Sequence, residues 1–119
     1  MDSNLTRHPL ISVVICTYNN ADSLKITIDQ LMSQPLEEPD LFEFIVVDNN
    51  SKDHTKSIAH SYHSESVAYY PLSEPRQGLS HARNTGITAA KGEYILFTDD
   101  DAELSSNWLD SYLSKIYST

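Results

Sequence analysis

The 119-residue sequence predicts an α/β fold, an open and mostly parallel sheet with helices on both faces. Two observations carry the prediction. Short apolar, β-branched runs alternate with segments of helical period, four times in succession. Polar clusters also follow the strand runs at their carboxyl ends, where open sheets of this kind place a ligand crevice. The length suits one compact domain with a single core.

Residues 1–10 read as an N-terminal extension, and "ISVVIC" (residues 11–16) as the first buried strand. The next segment carries Leu24, Ile28 and Leu31 on one face, which predicts a helix ending before Pro35. "QPLEEPD" is a loop, and "FEFIVVD" is a second strand ending at Asp48. Ser51 or Asp53 is placed to cap a second helix with Thr55, Ile58, Ala59 and Tyr62 facing inward. "SVAYYP" is a shorter third strand. A third helix starts near Leu79 or Ser80, and its inner face of Ala82, Gly86, Ala89 and Ala90 lets it lie close on a sheet. Gly92 is expected as a left-handed helix stop, and "EYILF" as the fourth strand. Trp108, Leu109, Tyr112, Leu113 and Ile116 form the stripe of a last helix, capped near Ser105. Right-handed crossovers favour the strand order 3-2-1-4, with the crevice between strands one and four.

A net charge of -9 leaves no electropositive track for nucleic-acid phosphates, so an anionic ligand needs local positive charge. The single cysteine, Cys16, lies in an apolar run and is expected to pack as a small hydrophobe. The first ten residues lack the apolar centre of a secretion signal, and no apolar run approaches the roughly 18 residues of a membrane span, so a cytoplasmic location is expected. Phosphate-loop, dinucleotide-turn and nucleophile-elbow patterns are missing, which argues against those enzyme classes. His60 and His63 lack a Cys or acidic partner at zinc-like spacing.

Three clusters are expected to converge on one sheet edge: "TYNN" (residues 17–20), "DNNS" (residues 48–51) and "DDD" (residues 99–101). In an extended segment Asp99 and Asp101 would share a face, about 6 to 7 Å apart, while Asp100 points away. Such carboxylates suit Mg2+ or Mn2+, which take one or two of them and fill the remaining positions with water and phosphate oxygens. A cation there would let an acidic protein hold a diphosphate; the competing reading is a solvated acidic loop before a helix. Asp48 and Asn49 could hydrogen-bond a base or ribose, or form an Asx turn. Tyr18 could pack on a ligand ring or cover the sheet edge. Arg83 could reach a phosphate or base carbonyl, or pair with a nearby aspartate.

Together, "SVVICTYNN", "FIVVDNNSKDHT", "GLSHARNTGITAAKGEYILFTDDDAEL" and "NWL" resemble the family 2 glycosyltransferases of the GT-A fold, in order and spacing through nearly the whole chain. The resemblance implies an inverting, metal-dependent enzyme that moves a sugar from a UDP-, GDP- or dTDP-linked donor to an acceptor. By that similarity Thr17, Asp48 and Asn49 would line the nucleoside pocket, Tyr18 and Asn19 would join the nucleotide-sugar site, and Arg83 would face the base or diphosphate. Asp100 would approach the ribose, and Asp101, with Asp99 as the first member of a D-x-D motif, would contact Mn2+ or Mg2+. Many members carry a second aspartate where this chain has Asn49. Residues 11–119 would be the nucleotide-sugar-binding half, with the acceptor site and catalytic base expected beyond Thr119. The alternatives are a nucleotide- and metal-binding fragment, or a degenerate homologue, without transfer activity, and an α/β interaction domain binding only cations. Strand four would be an outer strand although it reads as a central one, so self-association through that edge is expected.

Overall fold

The computed structural model describes residues 8–118, so residues 1–7 of the expected extension lie outside the described residues. Four parallel strands form one sheet in the order β3-β2-β1-β4, as expected. They are β1 (Ile11–Thr17), β2 (Phe42–Asp48), β3 (Ala68–Ser73) and β4 (Tyr94–Asp99). The helices between and after them are α1 (Ala21–Met32), α2 (Thr55–His60), α3 (Leu79–Ala89) and α4 (Trp108–Tyr117). Register aligns Thr17 with Asp48 and Cys16 with Asp99, so the three strand ends finish level.

The two central strands are buried on both faces, which explains their unbroken apolar reading. On one face Val13, Ile15, Phe44 and Val46 pack with Leu24, Ile28 and Leu31 of α1, Ala59 of α2 and Leu109 of α4. On the other, Val14, Ile45 and Val47 meet Ala82 of α3. The helix α3 lies close because Gly86 has no side chain: a Cβ there would stand 2.6 Å from Val14 Cγ1. Within the sheet Ser12 donates to the buried Glu43 carboxylate at 2.6 Å, and the Lys91 amide donates to the same oxygen at 2.7 Å.

Several local expectations shift. Gly92 does not adopt a left-handed conformation; its role is close approach, since a Cβ would lie 2.7 Å from Ser12 N. The helix α2 stops at His60, leaving Tyr62 beyond it, where its hydroxyl donates to Asp29 at 2.6 Å and still covers the core. Asp53 serves the start of α2 by accepting from the Thr55 amide at 2.9 Å. Ser105 gives α4 no side-chain cap; its carbonyl accepts from the Trp108 amide at 3.1 Å. The third strand begins and ends two residues later than "SVAYYP" suggests, and Pro71 is tolerated because β3 is an edge.

Candidate functional site

Three loops meet beyond the carboxyl ends of the strands, and side chains join them directly. Thr17, the buried last residue of β1, donates from its hydroxyl to Asp100 Oδ2 at 2.8 Å. Asn20 Nδ2 donates to the other oxygen of the same carboxylate at 3.0 Å. The loop after β4 is therefore fastened to the loop after β1. Asn19, at φ 46°, accepts through Oδ1 from the Lys52 amide at 2.7 Å, and its own amide donates to Ser51 Oγ at 2.9 Å. That fastens the loop after β1 to the loop after β2.

Asp48 ends β2 and is 2% exposed. Its Oδ2 accepts from the Ser51 amide at 3.3 Å, the Asx turn, while Oδ1 is buried with no hydrogen-bond partner. Buried carboxylate oxygens without partners are costly, which singles this one out. Its neighbour Asn49 is spent internally: Nδ2 donates to the carbonyls of Glu74 and Arg76 at 3.1 and 2.8 Å, and Oδ1 accepts from the Gly78 amide at 2.9 Å.

Cys16, Thr17, Tyr18, Asn49, Gln77, Gly78, Leu79 and Ala82 surround a crevice of about 220 Å³ at this edge. Tyr18 is 45% exposed on its rim. Burial pushes the Cys16 thiol up to about 11 against the pull of the Arg83 charge, so it stays protonated and packs, as expected. Among the described residues Arg83 pairs with no aspartate, and it is exposed; its guanidinium lies 5.7 Å from the centre of the Phe97 ring.

The acidic triplet differs from the extended picture. The strand β4 ends at Asp99, and residues 99–102 form a turn closed by the Ala102 amide on the Asp99 carbonyl at 3.3 Å. Strand alternation thus stops before Asp101 and cannot pair it with Asp99. Thr27 of α1 shapes the turn, donating to the carbonyls of both Asp100 and Ala102 at 3.0 Å. The outcome is one carboxylate turned in, Asp100, and two exposed, Asp99 and Asp101. Among the described residues no three His, Cys, Asp or Glu side chains gather as a metal cage. Mg2+ and Mn2+ need only one or two protein carboxylates, taking their other ligands from water and phosphate.

Sequence reasoning missed the residues that brace the site. Thr27 and Gln30 of α1 and Gln34, two residues beyond its end, hold the Leu104 and Leu109 amides and the Ser105 carbonyl besides the turn. The buried Glu74 accepts from Arg76 N, Nε and Nη2 and from Thr85 Oγ1, and these bonds lower its carboxyl to about 2. The four-residue spacing of Gln30 and Gln34 was a legible signal; nothing local marks Glu74.

The family model described as "Glycosyl transferase family 2" matches residues 12–119. Glycosyltransferase AglE of Haloferax volcanii is 36% identical over 115 residues, covering 93% of this chain and 36% of its own. The Campylobacter jejuni GalNAc(5)-diNAcBac-PP-undecaprenol beta-1,3-glucosyltransferase is 32% identical, with 90% and 34% covered. Among solved structures, mannosyltransferase PcManGT from Pyrobaculum calidifontis, in complex with GDP-Man and Mn2+, superposes with a TM-score of 0.78 at 30% identity, covering 91% of this chain and 32% of that one. S. aureus TarS 1-349 in complex with UDP gives a TM-score of 0.81 at 26% identity, with 92% and 32% covered. The chain spans about a third of the length of these relatives.

Proposed function

The chain belongs to glycosyl transferase family 2, and from that premise we propose that it is the donor-binding part of a sugar transferase, holding a nucleoside-diphosphate sugar across the edge between β1 and β4. The observation that carries this reading is the buried Asp48 Oδ1, left without a hydrogen-bond partner at the end of β2 level with Thr17. An imide or amino N–H of a base supplies the missing donor, and the Tyr18 ring offers a face for the base. Arg83, exposed at the same edge, brings the local positive charge that an anionic ligand needs in a protein of net charge -9. The similarity of the fold to proteins holding UDP and GDP-Man supports a nucleotide sugar as the ligand class.

Asp99 and Asp101 would hold a divalent cation, with Asp100 keeping their turn fixed on Thr17 and Asn20. When bound, that cation supplies Lewis-acid stabilisation of the leaving diphosphate. The transfer forms a bond from an acceptor oxygen or nitrogen to the anomeric carbon and breaks the bond from that carbon to the diphosphate, with inversion. The acceptor proton passes to a base that no described residue supplies in this reading.

Titration calorimetry with UDP and with GDP, each with and without Mn2+, tests the proposal. We expect Mn2+-dependent binding of at least one nucleotide, and about tenfold weaker binding in Asp48→Asn, which replaces the free acceptor by an amide. A folded chain that takes up neither nucleotide with Mn2+ present overturns the reading.

A further inference from the structure

We propose that Asn49 is a positioning residue: its side-chain amide holds segment 74–78 as one wall of the nucleoside crevice, and Gln77 on that segment is the side chain that meets the nucleoside. The inference deepens the donor-binding reading above and rests on it. An amide side chain has two N–H donors and one carbonyl oxygen. Both donors of Asn49 go to main-chain carbonyls, of Glu74 and Arg76, and its oxygen takes the Gly78 amide. These partners fix the orientation of the group, since the flipped amide would set N–H against N–H and oxygen against two carbonyls. With the residue 5% exposed, no donor remains for a base.

The segment it holds is tied from outside as well. The Glu74 amide donates to the Asp48 carbonyl at 2.9 Å, and the Glu74 carboxylate turns back onto Arg76 and Thr85. Gly78, at φ 133°, then turns the chain into α3, a conformation that other residues adopt only with strain. Gln77 is left facing the crevice, and its amide makes only long contacts, 3.3 Å to the Asn49 carbonyl and 3.4 Å from Asn50 Nδ2. Bonds of that length are readily exchanged for better ones to a ligand. Gln77 carries both a donor and an acceptor, so it can serve either edge pattern of a base.

Asn49→Asp is the test, because it keeps shape and the acceptor for Gly78 but loses both donors and sets a carboxylate against two carbonyl oxygens. Affinity for UDP and for GDP with Mn2+ is measured by calorimetry, and hydrogen exchange over segment 74–78 by mass spectrometry. Asn49→Asp is expected to speed exchange in that segment and to raise Kd about tenfold or more. Gln77→Ala is expected to raise Kd about threefold with exchange elsewhere in the segment unchanged. Asn49→Asp with Kd within about twofold of the parent, or with weaker binding but unchanged exchange, overturns the positioning role. Should Asn49→Asp not fold, Gln77→Ala decides the matter: unaltered affinity overturns the proposal. A parent chain that ignores both nucleotides overturns the donor-binding reading and the ligand half of this inference together, while exchange in Asn49→Asp still decides the tether.

Discussion

Asp48 and Asn49 are neighbours with opposite assignments: one keeps a buried oxygen free, and the other commits every polar atom of its side chain. Glu74 shows the third possibility, a carboxylate filled by its own chain. The Arg76 side chain first, then Thr85, and the Arg76 amide hold its carboxyl near 2, below the ordinary 4.5. A folded-state value below the unfolded one means stability that is fully present above about pH 4.5 and lost as pH falls toward 2. Urea unfolding across that window should therefore fall more steeply with acid in the parent than in Glu74→Gln; parallel profiles would reject this account. Asp48 was legible as a base contact or an Asx turn, but the roles of Asn49 and Glu74 were not. The sequence shows an acid or an amide after a strand, whereas its use is set by carbonyls and hydroxyls up to 29 residues away.

At the level of elements, strands were the most legible feature, because double burial writes β1 and β2 as continuous apolar runs. The small inner face of α3 was legible for the same reason, and Gly86 gives it a quantitative test. Gly86→Ala places a methyl group 2.6 Å from Val14 Cγ1, so α3 must lift or Val14 must rotate. A loss of about 1–3 kcal/mol is expected in denaturant unfolding, despite the better helix propensity of alanine. Unchanged stability would mean that α3 rides further from the sheet than 2.6 Å implies. The turn at residues 99–102 was not legible, because period-two reasoning assumes that a strand continues. Thr27, on a different element, supplies the hydroxyl that holds the two carbonyls of this turn.

Across the whole molecule the sheet is unevenly clothed: three helices cover one face and α3 alone covers the other. On the α3 side Ile95 and Phe97 of β4 remain 37% and 39% exposed, and β4 forms an outer edge among the described strands. Edges of this kind pair with other chains. The 119-residue chain is expected to self-associate as its concentration rises, and Phe97→Lys to suppress this; sedimentation showing a single small species at high concentration would count against it. Strand order was readable from handedness rules, but this lopsided cover was not, since periodicity does not say which face a helix chooses. The bond from Thr17 to Asp100 joins residues 83 apart and forms only when β4 lies beside β1. A chain in which β4 has yet to dock lacks the Asp100 carboxylate on Thr17 and Asn20, and with it the turn that carries Asp99 and Asp101. Cation-dependent occupancy would consequently report that β4 has settled against β1.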